Sequence, residues 1–364
     1  MRRREFLKTG IGLACASGAG LARTRGAGAA GTDSPHWRIF EVTTRAAVSE
    51  PGSAARVWLP LPLMPDTDYS KILGQTWTGN ASATRIFRDG KYGAAIFYAE
   101  WAPGESSPVI EVTTRFTTRD RMADLGRPES AAAEDRAVLD KYLHGTSYVP
   151  TDGIVGKTSR EVTRGHRTDV AKAKAIYEWI VDNTFRDPKV RGCGLGNIRA
   201  LLESNNLGGK CADLNALFVG LARAAGIPAR DVYGVRVADS KEFKSLGKSG
   251  DITKAQHCRA ECYLSGFGWV PVDPADVRKV VLEEPPGNLS ISDPAVQRAR
   301  AKLFGAWEMN WLAFNYAADV KLPGSTGEAI PYFMYPQGET AKGRRDSLDP
   351  DGFTYRMTAR ELEA

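Results

Sequence analysis

One cysteine in this sequence stands where a thiol could act as a nucleophile. Cys211 follows Gly208, Gly209 and Lys210 and precedes an apolar stretch with the periodicity of a helix. At a helix start, unpaired N–H groups and the positive end of the helix dipole favour a thiolate over a thiol, and Lys210 adds a positive charge beside it. The same N–H groups could bind the oxyanion that forms when sulfur attacks a carbonyl carbon. Cys211 is therefore a candidate nucleophile, although a free cysteine is more often a small buried apolar residue.

A nucleophilic thiol needs a base, and only one of the four histidines, His257, begins a strand-like segment. The segment that follows the next glycine-containing loop ends at Asp273. If that loop has an odd number of residues, the two are diagonal neighbours on one face of a β-hairpin, where the carboxylate would orient the imidazole and stabilise the imidazolium. We predict Cys211 as nucleophile, His257 as general base and acid, and Asp273 as the orienting carboxylate. The alternatives are a histidine that only packs and an Asp-Pro pair that only makes a turn.

The segment after Cys211 predicts the helix that would position it. The pattern indicates an amphipathic helix packed on a core, with Gly226 at its C′ position and Pro228 preventing its continuation. The apolar residues at helical spacing are Leu214, Leu217, Phe218, Leu221, Ala222 and Ala225. Gly208 and Gly209 are expected to allow a tight turn and to leave room for a substrate chain.

The segments around the three candidate residues resemble the transglutaminase-like superfamily. Residues 209–230 resemble its nucleophile segment, and residues 257–264 with 268–274 resemble its histidine and aspartate strands. The resemblance extends over about residues 168–276. It implies Cys211, His257 and Asp273 as a catalytic triad. It also implies an α+β, papain-like core, in which the cysteine helix packs on an antiparallel sheet.

The resemblance leaves part of the site undefined. Cys258 stands where many members of the superfamily carry a bulky aromatic residue, so the shape of the pocket beside His257 is not implied. Asn205, six residues before the nucleophile, is a candidate second oxyanion donor. Residues 192–196 are glycine-rich, but they lack a preceding apolar strand and are expected to form a turn rather than a nucleotide-binding loop.

The other cysteines are not expected to act as nucleophiles. Strand alternation places Cys258 and Cys262 on the face opposite His257, and their Cα atoms would lie about 13 Å apart, too far for a disulfide. A bridge would therefore have to join Cys193 to one of them, and the alternative is burial as free thiols. A zinc site made of His257, Cys258 and Cys262 is disfavoured, because the residues are poorly spaced and lie on different faces.

Residues 1–29 predict a Tat-type signal peptide and hence a periplasmic protein. Arg3 and Arg4 precede Phe-Leu-Lys, a short, weakly apolar run follows, and Ala27-Gly28-Ala29 fits a cleavage site. A disordered basic tail and a lipoprotein signal at Cys15 are the alternatives. No other stretch has the roughly 18 apolar residues of a membrane span.

The net charge of +6 does not indicate binding to nucleic acid. Residues 1–29 contain six Lys and Arg and one Glu, which leaves 43 basic and 42 acidic residues in the rest of the chain. A nearly neutral mature protein lacks the electrostatic footprint that nucleic acid or an anionic membrane requires.

The remaining chain predicts three regions. Residues 30–125 have alternating segments that predict a β-rich domain, either an antiparallel sheet or a small sandwich. Residues 126–284 are predicted to form the catalytic domain, with helices near 130–143, from an N-cap at Asp169 onward and at 197–204. Residues 285–364 are predicted to be an extension packed on the core, and their aromatic block is expected to pack on the catalytic domain.

The chemistry that these residues predict is acyl transfer through a thioester. The Cys211 thiolate would attack an amide carbonyl, His257 would protonate the leaving amine, and water or an amine would resolve the intermediate, with no metal or organic cofactor required. Hydrolysis, which would make the protein a peptidase or amidase, is favoured over amine capture by a transglutaminase because of the resembled bacterial proteins. The alternative is a catalytically inactive binding module of the cell envelope. Peptides, envelope proteins and peptidoglycan peptides all remain possible substrates.

Overall fold

The computed structural model describes residues 36–49, 54–62, 66–128 and 133–363. The predicted signal peptide, residues 1–29, lies outside the described residues. Within the described ranges, no helix combines the length and the apolar character that crossing a membrane requires.

The first third of the described chain consists of strands. These are β1 (Arg38–Ala47), β2 (Ala55–Pro60), β3 (Ser70–Gly79), β4 (Ala83–Arg88), β5 (Ala95–Trp101), β6 (Val109–Thr118) and β7 (Arg121–Met122).

Helices and strands are mixed in the middle third. They are α1 (Arg136–Lys141), α2 (Gly153–Val162), α3 (Asp169–Asn183), β8 (Phe185–Arg186), α4 (Ile198–Glu203), β9 (Gly208–Gly209), α5 (Cys211–Ala224), β10 (Ala229–Arg236), a 3-10 helix (Lys244–Leu246), β11 (Gly250–Asp251), β12 (Gln256–Leu264), β13 (Gly268–Val272) and α6 (Pro274–Glu283).

Short strands dominate the last part. The elements are α7 (Pro294–Lys302), β14 (Ala306–Trp307), β15 (Trp311–Asn315), β16 (Ala318–Val320), β17 (Ile330–Tyr332), β18 (Gln337–Thr340), β19 (Gly343–Arg344), α8 (Pro350–Phe353) and β20 (Tyr355–Leu362).

The β-rich part contains two five-stranded sheets, in the orders β11-β20-β1-β6-β3 and β19-β18-β2-β5-β4. Their inward-facing side chains belong to one apolar cluster, and the ring of Trp77 from β3 lies 5.3 Å from that of Phe97 in β5. In the first sheet β20 pairs with β1, and in the second β18 pairs with β2. The predicted front region and the predicted C-terminal extension therefore share both sheets.

The remaining part is built on a four-stranded antiparallel sheet in the order β13-β12-β10-β15. Helix α5 packs against β12 and β10 of this sheet, and helices α2, α3, α4 and α6 contact α5 from other sides. The prediction of an α+β core with the cysteine helix on an antiparallel sheet is confirmed.

The cysteine helix is more deeply enclosed than its amphipathic pattern indicated. Within α5 only Asp213 and Ala224 are not buried, because the sheet covers one side and four helices cover others. The predicted end of the helix is confirmed, since α5 stops at Ala224 and Gly226 adopts a φ of +82°. The predicted cap of α3 is wrong by one residue, because Thr168 rather than Asp169 accepts the backbone N–H of Ala171, at 3.2 Å.

Candidate active site

The first turn of α5 is held in place by Asp213. Its carboxylate accepts hydrogen bonds from the backbone N–H groups of Lys210 (3.0 Å), Leu195 (3.1 Å) and Gly196 (2.9 Å). Gly194 lies against this carboxylate with a φ of +88°, and a Cβ there would come within 1.8 Å of Asp213 Oδ2. The glycine-rich segment predicted to be a turn therefore supports the helix start, and only glycine fits at position 194.

Gly208 and Gly209 form β9, a short extended segment that pairs in parallel with β8. A Cβ at Gly208 would lie 2.3 Å from the ring of Phe185, and one at Gly209 would lie 2.6 Å from the Cβ of Asp213. The prediction of a tight turn with room for substrate is therefore wrong. The two glycines instead let neighbouring side chains approach the backbone closely.

Cys211 is the first residue of α5, and only 4% of its surface is exposed. Its sulfur lies close enough to the side chains of Cys193, Cys258 and His257 for all three to influence its ionisation. Burial opposes ionisation of the thiol, but these three side chains outweigh it and hold the pKa of Cys211 well below its usual value. A thiolate is therefore favoured at neutral pH.

The other three cysteines in the described residues are buried free thiols, so the bridge considered for Cys193 is not formed. Instead, Cys193 donates a hydrogen bond to the carbonyl of Gln256, at 3.2 Å. The interaction with Cys211, followed by burial, raises the pKa of Cys193 well above its usual value. Burial, followed by the interaction with Cys211, does the same for Cys258. Both thiols therefore stay protonated beside the Cys211 sulfur.

Cys258 follows His257 along β12, and its buried thiol interacts with the sulfur of Cys211. Helix α5 packs on this strand, and the Asn215 side chain donates a hydrogen bond of 2.8 Å to the Cys258 carbonyl.

The hairpin of β12 and β13 brings His257 and Asp273 together. Leu264 pairs with Gly268 and Ala260 with Val272, so the loop has three residues, an odd number. Asp273 directly follows β13 and is diagonal to His257 across the hairpin. The distance between His257 Nε2 and Asp273 Oδ2 is 2.8 Å, and both side chains are almost fully buried.

Asp273 is fixed from several sides. It caps α6, because its Oδ1 atom accepts the backbone N–H of Asp276 at 3.0 Å. The same oxygen accepts a hydrogen bond of 3.1 Å from the side chain of Asn215. Because Asn215 is four residues after Cys211 on α5, it links the nucleophile helix to the carboxylate that contacts His257.

A second carboxylate contacts the same imidazole nitrogen. Asp276 Oδ2 lies 3.3 Å from His257 Nε2, and both carboxylate oxygens of Asp276 accept hydrogen bonds from Arg236 Nη2, at 2.6 and 2.9 Å. The positive charge of Arg236, followed by that of His257, outweighs burial and holds the pKa of Asp276 well below its usual value.

These charges set the protonation state of the histidine. Burial and the positive charge of Arg236 lower the pKa of His257, whereas Asp276 and Asp273 raise it, and the net result is a pKa of about 9. The imidazole is therefore protonated at neutral pH, beside a sulfur that favours the thiolate. Such a pair can both attack a carbonyl and donate a proton to a leaving group.

The segment that contains the candidate site is similar to a known family of proteins. Residues 156–274 match the sequence profile of the Transglutaminase-like superfamily, a range that includes Cys211, His257 and Asp273. An uncharacterized protein of Haemophilus influenzae is 35% identical over 322 residues, which cover 84% of this chain and 86% of that protein. This chain belongs to the transglutaminase-like superfamily.

Solved structures similar to this transglutaminase-like chain are distant. A candidate cysteine protease from Cytophaga hutchinsonii shares 16% identity with a TM-score of 0.49, covering 89% of this chain and 98% of that one. The periplasmic domain of TgpA from Pseudomonas aeruginosa, bound to ethylmercury, shares 16% identity with a TM-score of 0.35, covering 66% and 90%. Likeness at this level does not extend to activity, substrate or partners.

The only described residues grouped closely enough to hold a metal ion in this transglutaminase-like protein are His257, Asp273 and Asp276, whose ligand atoms lie within 4.8 Å of one another. The guanidinium of Arg236 already occupies the cation position beside Asp276, with hydrogen bonds to both of its oxygens. The group therefore fits an imidazolium better than a metal ion.

A cavity of about 420 Å³ opens beside the candidate nucleophile, and Cys211, Cys193 and His257 are among its lining residues. Asn205 is not, because it lies with Trp179 and Leu207 around a different cavity. The prediction of Asn205 as an oxyanion donor is therefore wrong.

Sequence reasoning missed three residues of this site, which are Asn215, Arg236 and Asp276. Two of them left a signal. Asn215 is a polar residue within the apolar stretch of α5, and Asp276 follows Asp273 at the three-residue spacing of a helix start. Arg236 could not be identified in this way, because no residue near it in the sequence indicates that its partner is Asp276.

Proposed function

We propose that this protein is a secreted cysteine hydrolase of amide bonds, with Cys211 as nucleophile, His257 as general base and acid, and Asp273 as the residue that orients the histidine. The observation that supports the proposal most strongly is the buried contact of 2.8 Å between the His257 imidazole and the Asp273 carboxylate, at a cavity that His257 and Cys211 line together. A protein that only binds a partner has no need for all three groups in this order.

The reaction begins when the Cys211 thiolate attacks the carbonyl carbon of an amide. Negative charge then develops on the carbonyl oxygen and needs a hydrogen-bond donor. At the start of α5 the N–H of Lys210 is bonded to Asp213, and the N–H of Ala212 to the carbonyl of Cys193 at 2.9 Å. The N–H of Cys211 itself is therefore the best candidate donor.

Breakdown of this intermediate requires a proton on the leaving nitrogen. The imidazolium of His257 supplies it, and the amine departs while a thioester remains on Cys211. The neutral imidazole then takes a proton from water, which attacks the thioester and releases the acid. Asp273 and Asp276 stabilise the imidazolium before the transfer and orient the ring throughout.

The resolving nucleophile decides between hydrolysis and transamidation. Charged and polar side chains line much of the cavity, Thr253 and Gln256 among them, and such a lining is readily hydrated. No described feature of the cavity selects an amine over water, so hydrolysis is the proposed outcome.

The proposed location is the periplasm, reached through a Tat signal in residues 1–29. The proposed substrates are peptides, proteins or peptidoglycan peptides.

A peptide-mixture assay tests this function. Wild type and Cys211→Ala are incubated with peptides, half of them containing glutamine, with and without an added primary amine, and the products are identified by mass spectrometry. Cleaved or deamidated peptides that require Cys211 are the expected result. Amine adducts without hydrolysis would instead establish a transglutaminase. The absence of any Cys211-dependent product or thioester would indicate a binding module.

A further inference from the structure

Among the residues that the structure describes, those lining the cavity beside Cys211 include several cations and no aspartate or glutamate. Its positively charged residues are Arg186, Lys210, Arg236, Lys248, Lys254 and Lys279. With a volume of about 420 Å³, the cavity is within the size range of sites that bind small molecules or a few residues of a peptide.

Two carboxylates behind the lining neutralise part of this charge. Asp276 pairs with Arg236, and Glu283 is shared between Arg186 and Lys279. In the described part of the chain, the remaining lysines of the cavity form no ion pair, and they are Lys210, Lys248 and Lys254. Six lysines and arginines therefore face two carboxylates. When the His257 imidazolium, its partner Asp273 and the Cys211 thiolate are also counted, three positive charges remain in excess.

The pKa of Lys279 reflects the excess of positive charge around the cavity. Burial, followed by the positive charge of Arg236, lowers the pKa of Lys279 despite its pairing with Glu283. Where cations outnumber acids, repulsion between positive charges is expected to lower the pKa of a lysine even when the lysine has an acidic partner. Clefts that carry one sign of charge concentrate ligands of the opposite sign.

The cavity next to this one does not share the excess of positive charge. A second cavity, of about 830 Å³, shares Tyr335 and Leu348 with the first. Its charged lining residues are balanced, and they are Arg191, Arg344, Arg345, Asp187, Asp213 and Asp346. The protein as a whole is nearly neutral beyond residue 29, so the cationic lining does not follow from overall composition.

We infer that the cavity beside Cys211 binds a carboxylate-bearing ligand. Resting on the proposed function, the substrate is then an acidic peptide, with a side-chain or terminal carboxylate close to the amide that Cys211 attacks. The cations are not needed to ionise Cys211, because His257 and two thiols already lower its pKa. Lys248 and Lys254 are exposed at the cavity, where they can meet such a carboxylate, and the charge of Lys248 also acts on Asp251.

Two alkylating reagents that differ only in charge test this inference. Iodoacetate and iodoacetamide both form a bond between the Cys211 sulfur and a CH₂ group with loss of iodide, and only the first is an anion. The quantity measured is the ratio of their rate constants at Cys211, located by peptide mapping, relative to the same ratio for N-acetylcysteine amide. We expect this relative ratio to be about 10 at low ionic strength and to fall as salt is added.

Variants separate the lysines from other sources of positive charge, such as the start of α5. Lys248→Gln and Lys254→Gln should each lower the ratio about 3-fold, as expected for a partly exposed charge pair. Lys321→Gln removes one exposed lysine outside this cavity and should leave the ratio unchanged. A wild-type relative ratio below about 2, or equal ratios in all three variants, would overturn the inference.

The outcome is independent of the peptide assay, because alkylation requires the thiolate but not acyl transfer. A charge preference at Cys211 in a protein without amide hydrolysis would refute the proposed function and leave the anion site standing. Amide hydrolysis without a charge preference would refute only the inference.

Discussion

Asp276 places a carboxylate oxygen 3.3 Å from Nε2 of His257, the same ring nitrogen that Asp273 contacts at 2.8 Å. One nitrogen of the imidazolium therefore contacts two acids, and Arg236 favours the ionised form of Asp276. Two carboxylates and one guanidinium influence the charge of the imidazole ring. Removal of each of these groups should therefore change the pKa of His257 separately.

In the variant Asp276→Asn, the alkaline limit of activity, which is the pH above which kcat/KM declines, should fall below pH 9. The reason is that Asp276 raises the pKa of His257, and its loss leaves the opposing charge of Arg236 in place. The measurement is the pH dependence of kcat/KM on any substrate that the peptide assay identifies. The double variant Arg236→Gln/Asp276→Asn removes both charges and should restore the limit toward 9. Equal limits in wild type and Asp276→Asn would contradict this role.

The activity of the wild type should decline as pH rises through about 9. The pKa of His257 is raised to about 9, so the imidazolium exists below this pH and is lost above it. Without the imidazolium the leaving amine is not protonated, and kcat/KM should fall about tenfold for each pH unit beyond the limit. An activity that keeps increasing up to pH 10 would argue against His257 as the acid.

The variant Cys193→Ala should raise the pKa of Cys211. Of the side chains that lower this pKa, the Cys193 thiol has the largest effect, and alanine has no polar group to take its place beside the sulfur. The rate of iodoacetamide labelling at Cys211 as a function of pH reports the change. Cys262→Ala is the matched control, because Cys262 is also buried but is not among the thiols that lower the pKa of Cys211. If the two variants gave the same labelling profile, the Cys193 contact would have no such effect.

The variant Gly194→Ala should destabilise the helix start. Position 194 has a φ of +88° and no room for a Cβ beside Asp213, so we expect a loss of about 3 kcal/mol in the free energy of unfolding. Gly165→Ala is the control, because its φ is +84° but nothing lies within 4 Å of a Cβ there, and its loss should be about 1 kcal/mol. Urea denaturation measures both, and equal losses would show that Asp213 does not constrain the loop.

The elements that position the candidate site were predictable because their signals are local. The apolar periodicity after Cys211 gave the start and end of α5, and the strand pattern from His257 to Asp273 gave a hairpin. Two strands of the β-rich part, β3 and β4, were not predicted. Most of their residues are exposed or half-buried, so no apolar alternation identifies them.

Pairings between distant parts of the chain could not be predicted either. Nothing in the sequence of β20 shows that it pairs with β1, more than 300 residues earlier. The contact of Arg236 with Asp276 was equally unpredictable, and so was the interaction of Cys193 with Cys211. Each depends on how separate elements pack against one another. The proposed triad left local signals, whereas the groups that set its charge state did not.

The most direct test of the account is a pH titration of the thiolate of Cys211, followed by its ultraviolet absorbance in wild type, Cys211→Ala and His257→Ala. We predict that wild type retains a thiolate signal well below the usual cysteine pKa of about 8.5, that Cys211→Ala lacks it, and that His257→Ala shifts it upward. A wild-type signal that develops only above pH 8.5, or one unchanged in His257→Ala, would contradict the thiolate–imidazolium pair.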